Sequence, residues 1–197
     1  TQATRVDPLS DAEPGKIVHE QRRCEMANTG EVPFGSYYGT VDATPLFVVL
    51  AGEYWRRTGD RATIRKIWPN IQAALGWCEL HGDRDGDGFV AYHRRTPTGL
   101  VNQGWKDSHD AVFHDDGRTA NGPIALVEVQ AYVHQAYEQG AKLAELLGNH
   151  DAAERYRSRA NALKFVFHDR FWNDEHGTYV LALDGDKRPC CIIASNA

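Results

Sequence analysis

The chain has 197 residues, 42% hydrophobic and 25% charged, which suits one soluble domain with a real core. A net charge of −5 with both signs interspersed excludes the basic footprint of a nucleic-acid binder and a polybasic membrane patch. The longest apolar run, LFVVLAG at 46–52, is far too short to span a bilayer.

Residues 1–16 are polar and expected to be irregular. KIVHEQRRCEMA (16–27) reads as a strand or a short helix. Residues 28–42 read as loop, punctuated by Gly30, Pro33, Gly35 and Gly39. A helix is expected over 44–58, with Thr44 as N-cap, Pro45 in its first turn and Gly59 as its stop. Asp60 caps the next helical stretch. Pro69 is expected to interrupt it and open a fresh helix over 69–81, whose apolar stripe is Ile71, Ala74, Leu75 and Cys78.

HGDRDGDG (81–88) then makes a turn before a short strand at 89–94 and a long polar segment, 95–122. Pro123 and Gly148 bracket a helix over 123–147 that is apolar on two faces. Another helix, 151–170, carries Tyr156, Ala160, Leu163 and Phe167 at spacings of three and four. TYVLALD (178–184) alternates as a strand does. Helices with two apolar faces need a layer on each side. A ring of inner helices surrounded by outer ones meets that need better than a flat bundle.

Cys24, Cys78, Cys190 and Cys191 form no C-x-x-C pair and are read as free thiols in a reducing, cytoplasmic compartment. Asp83, Asp85 and Asp87 with Gly88 imitate the start of a calcium loop. The position of the required bidentate glutamate, however, is Arg94, and a strand-like run follows, so a plain Asp/Gly turn is preferred and no metal is expected. The histidines show no zinc spacing, although His109 and His114 flank carboxylates. KDSHD (106–110) lacks a nucleophile elbow and is a poor Ser/His/Asp triad. A pair of carboxylates is the better chemistry: glycoside hydrolysis needs one protonated acid and a second carboxylate as base or nucleophile. Trp105 beside Asp107 offers the apolar wall that keeps an acid protonated, against the plain reading of Asp107 as a turn cap.

GWKDS (104–108) and PIALVEVQAYVHQAYEQGAKLAELLG (123–148) resemble bacterial amylo-α-1,6-glucosidase and glycogen-debranching-like proteins. GEVPFGSYYGTVDATPLFVVLAGEYWRRTGD (30–60) and DRDGDGFVAY (83–92) are similar to them as well. Gly-Trp-x-Asp is also similar in kind to motifs of the glucosidase I and trehalase families. The resemblance implies an all-α fold, part of an (α/α)6 toroid with small β-hairpins in the loops. It implies that 1–197 is about half of that domain, incomplete at both ends. It further implies an inverting α-glucosidase without cofactor, acting on a carbohydrate partner, with Asp107 as general acid and the base beyond Ala197. Asp42 would bind sugar hydroxyls, Trp105 would wall the sugar, and Glu128 would orient a hydroxyl or water. Tyr37, Tyr38 and Lys106 are further binding candidates. Two alternatives stay open: a non-catalytic carbohydrate-binding or regulatory relative, and a helical interaction module unrelated to sugars.

Overall fold

The computed structural model describes residues 1–29, 35–106 and 108–193. The chain enters irregularly, with one 3₁₀ turn at Pro8–Ser10, yet Asp11, Glu13 and Lys16 are all buried. Strand β1 (Glu20–Gln21), the one-turn helix α1 (Glu25–Asn28) and strand β2 (Ser36–Tyr37) follow, with β1 and β2 antiparallel. Segment 16–27 thus contains both a strand and a short helix.

Two helical hairpins carry the core. The first joins α2 (Ala43–Thr58) to α3 (Arg61–Trp77), the second α4 (Val127–Leu147) to α5 (His150–Phe171). The same kind of residue pair, glycine then a capping residue, turns both. A left-handed glycine, Gly59 or Gly148, ends one helix at φ 65° or 82°. The next residue, Asp60 or Asn149, accepts the N–H of Thr63 or Ala152 at 3.0 or 3.2 Å and caps the following helix. Val48 and Ala51 of α2, Ile71 and Leu75 of α3, Val133 and Leu143 of α4, and Tyr156 and Leu163 of α5 join one buried cluster. Each large side chain buried there contributes about 1.5–3 kcal/mol. Helices α2 and α4 run side by side in one direction. Gly52 packs on Gln139, while Asp42, before the first turn of α2, acts on Tyr132 near the start of α4.

Three boundaries differ from expectation. Pro69 lies inside a continuous α3, which then widens into a π-turn at Cys78–Gly82. Pro69 and Arg65 are both on the exposed side, so the Arg65 carbonyl left without a partner can be hydrated. Residues 89–94 form no strand beyond a single Tyr92–Ile124 bridge. The buried Gln130 amide takes the place of a second strand: it accepts from Val90 N at 2.9 Å and donates to Val90 O at 2.8 Å. Finally, α4 begins four residues after Pro123, because Ala125–Leu126 is drawn into a sheet.

That sheet corrects the all-α expectation. Strands β3 (Ala125–Leu126), β4 (Trp172–Asn173), β5 (Thr178–Leu183) and β6 (Pro189–Ile193) pair antiparallel, in the order β3-β5-β4 with β6 also on β5. Helices still dominate, but the sheet is more than a loop ornament. Its strand β3 runs straight into α4 and, through the pairs Ala125–Leu183 and Leu126–Ala182, fixes where that helix starts. No helix among the described residues is long and apolar enough to cross a membrane.

Candidate active site

Polar groups converge where α2 and α4 begin. Asp42 occupies the N-cap position of α2 and is half-buried, with its carboxylate accepting from the Thr40 hydroxyl rather than capping its own helix. Glu128 lies in the first turn of α4. Both carboxylates therefore sit near the positive pole of a helix. Tyr132, one turn beyond Glu128, links them: burial, then Glu128, then Asp42, raise its phenol above the ordinary value.

The 102–106 segment is inserted between these two helix starts. Gly104 lies so close to Leu126, just ahead of α4, that a Cβ there would stand 2.4 Å from Leu126 Cδ1. Any larger residue would have to displace that leucine methyl, which favours glycine before the indole. On the other side, Val41 N donates to Gln103 O at 2.9 Å, tying the segment to the loop that ends in Asp42. Asn102 shapes the turn from within. Its Oδ1 accepts from Tyr92 Oη at 2.8 Å and from Gly104 N at 3.2 Å, and its Nδ2 donates to the Lys106 carbonyl. Tyr92 is buried, and that burial, followed by the Glu128 charge, keeps its phenol protonated as a donor.

Trp105 projects from this clamp with 52% of its surface exposed, and Lys106 Nζ stands 5.4 Å from the centroid of its ring. Asp107 lies outside the described residues, between Lys106 and Ser108. The structure thus brings Asp42 and Glu128 to the neighbouring starts of α2 and α4 and tethers beside them the turn that bears Trp105 and Lys106. It does not bring Tyr37 to the same surface. Tyr37 is 1% exposed; its hydroxyl donates to Asp11 Oδ2 at 3.2 Å and accepts from Leu100 N at 2.7 Å, and burial pushes its phenol up to about 12. Tyr38 is also buried and borders a different hollow of about 510 Å³, lined by Gln2, Arg5 and Asp7 among others. Among the described residues that hollow has a single acid, Asp7, in its lining, and it does not reach 102–106.

Tyr92, Asn102 and Tyr132 were not singled out from sequence. Tyr132 had a signal, since it follows Glu128 at the i, i+4 spacing that shares a helix face. Asn102 and Tyr92 had none, because only the fold brings them together.

The Asp83, Asp85 and Asp87 carboxylates gather within 4.8 Å, but Lys187 Nζ lies 2.6 Å from Asp85 Oδ2 and 2.5 Å from Asp87 Oδ2. The loop carries its own cation. His114 Nε2 lies 3.2 Å from Asp184 Oδ2. All four cysteines are free thiols. Burial pushes Cys78 and Cys190 up to about 12, which leaves them unreactive near neutrality.

A family model described as the bacterial alpha-L-rhamnosidase 6 hairpin glycosidase domain matches residues 17–186. No curated protein matches the chain.

Proposed function

The chain belongs to the bacterial α-L-rhamnosidase six-hairpin glycosidase domain family, an (α/α)6 glycoside hydrolase family, and we propose that its site hydrolyses an α-L-rhamnoside. The observation that carries this reading is the clamping of the Gly104–Trp105 turn, with its exposed indole, between the loop that ends in Asp42 and the start of α4. Hairpins α2–α3 and α4–α5 are then two of the six, with α2 and α4 in the inner ring. The exposed apolar stripe Leu46, Leu50 and Tyr54 on α2 supports a further helix beside it.

In this mechanism Asp107 protonates the leaving oxygen. Asp42 and Glu128 hold sugar hydroxyls, and Trp105 covers the sugar face. A second carboxylate activates water as the base, and the reaction inverts the anomeric centre. An inverting pair stands roughly 6.5–9.5 Å apart, leaving room for that water. A second substrate, an α-glucoside, is favoured by the Gly-Trp-x-Asp resemblance and by nothing in the family match.

The test is NMR of the intact protein acting on methyl α-L-rhamnoside and methyl α-D-glucoside. Faster release of rhamnose, first as its β anomer, supports the reading. Preference for the glucoside overturns the substrate, first release of the α anomer overturns inversion, and no hydrolysis of either returns the non-catalytic relative. Loss of activity in Glu128→Gln with recovery in azide would move the base onto Glu128.

A further inference from the structure

Beside the 102–106 turn runs an open groove of about 290 Å³ that the mechanism does not use. Its size is near the lower end of small-molecule sites, roughly 300–1,000 Å³, and fits about one sugar ring. Val101, Val112 and Ile124 give it an apolar floor, suited to the C–H face of a pyranose. Asn102 and Asn121 add amides that can pair with hydroxyls. Its described lining includes three basic residues, Arg94, His93 and His109. Among the described residues no Asp or Glu lines the groove, although the chain carries a net charge of −5. None of the three bases forms an ion pair among the described residues, whereas Arg84, Arg95 and Arg188 all do.

Position assigns the groove a role. Asn102, which lines it, also shapes the turn that presents Trp105, and His109 follows Asp107 by two residues. A general acid stands next to the oxygen it protonates, so the space beside it on the leaving side receives the leaving group. We propose that this groove is the leaving-group subsite and that it selects a sugar bearing a carboxylate, a uronic acid, with Arg94 as the principal contact. A guanidinium binds a carboxylate through two parallel hydrogen bonds, which a hydroxymethyl group cannot replace. This inference rests on the functional reading for its role and on the groove alone for its chemistry.

Two measurements separate those bases. The first is binding of methyl β-D-glucuronoside and methyl β-D-glucoside to the intact protein, by calorimetry at low and high salt. The glucuronoside is expected to bind at least about tenfold tighter, with a preference that shrinks in high salt. Arg94→Ala should bring the ratio toward one and Arg94→Lys should restore part of it. Equal binding of the two glycosides by the unaltered protein overturns the proposal, as does an unchanged ratio in Arg94→Ala. Inorganic sulfate that displaces the glucuronoside at equal concentration would reassign the groove to sulfated sugars and overturn the carboxylate. The second measurement compares hydrolysis of α-L-rhamnosyl-glucuronate with α-L-rhamnosyl-glucose. A kcat/KM ratio of tenfold or more for the acidic disaccharide supports the subsite, and equal rates remove it while the functional reading stands. Selective glucuronoside binding without hydrolysis of any rhamnoside removes the functional reading and the leaving-group role, and leaves an acidic-sugar site.

Discussion

Gln103 Nε2 donates to Asp11 Oδ2 at 3.0 Å across 92 positions of sequence. The bond joins the entering segment to the turn that carries Trp105. Asp11 also accepts from Tyr37 Oη at 3.2 Å and from Arg95 N at 3.1 Å. Beside it, Glu13 pairs with Arg84 and Arg95 and accepts from Trp77 Nε1 at 2.7 Å. Burial raises Asp11's carboxyl and lowers Lys16's ammonium, so each donor to Asp11 offsets a real desolvation cost. Gln103→Leu removes one donor from the charged form. A loss of about 1–3 kcal/mol is expected from leaving a buried polar atom short of its partner. The loss should be full where Asp11 is ionised and shrink as the pH falls through its raised folded value. Urea melts at pH 7 and pH 4 measure this, and an equal loss at both values would show that the Asp11 charge is not involved.

Trp105→Ala tests the indole. An exposed side chain contributes little to folding, so the melting temperature should stay within about a degree. KM for the rhamnoside should rise about tenfold, equivalent to about 1.4 kcal/mol of lost binding. A normal KM would place the sugar elsewhere.

Asp107→Asn tests the acid. Turnover of an alkyl α-L-rhamnoside should fall by ~10²–10⁴, the usual worth of general acid–base help. Rhamnosyl fluoride, whose leaving group needs little proton assistance, should lose far less, and the alkaline limb of the pH profile should vanish. Equal losses on both substrates with the limb intact would falsify the assignment and leave Asp107 as a turn cap.

Asp60 sets an acid-side dependence. Hydrogen bonds from the Thr63 hydroxyl, the Thr63 N–H and Tyr54 hold its carboxyl at about 2, below the ordinary 3.8. The depressed value means that the unfolded chain binds the proton more readily. Its stabilisation is therefore present above about pH 3.8 and lost as the pH falls toward 2. Asp60→Asn should flatten the stability slope in that window, and an unaltered slope in acid melts would remove Asp60 as its source.

Lys187 accounts for the Asp83–Asp87 loop. EDTA should leave the melting temperature of the unaltered protein unchanged, since an ammonium already bridges Asp85 and Asp87. Lys187→Ala should cost about 1 kcal/mol, or about 2–4 °C, because the pair is only partly buried. Millimolar calcium should restore some of that loss in the variant alone. Destabilisation of the unaltered protein by EDTA would mean that a metal, not Lys187, holds the loop.

Local chemistry was legible along the chain. Gly59–Asp60 and the glycine at 148 marked the hairpins because left-handed backbone and N-capping are properties of single residues and their nearest neighbours. The apolar stripes through Ile71, Leu75, Tyr156 and Leu163 marked buried faces because helical period is itself a sequence pattern. The Gly-Trp-x-Asp turn announced a sugar hydrolase through its resemblance, and the family match agrees at that level while naming rhamnosides instead of glucosides.

Everything that depended on distant partners was decided by tertiary structure. The start of α4 moved past Pro123 because β5, more than fifty residues later, took Ala125 and Leu126 into a sheet. Val90 lost its strand to the Gln130 side chain, and Tyr37 was withdrawn from the surface by Asp11 and Leu100. The Asp85 and Asp87 carboxylates, read from sequence as part of a plain turn, meet Lys187 from another turn. In each case a buried backbone or charged group needed a partner, and which partner reached it was a matter of packing in space. No spacing along the chain encodes that choice.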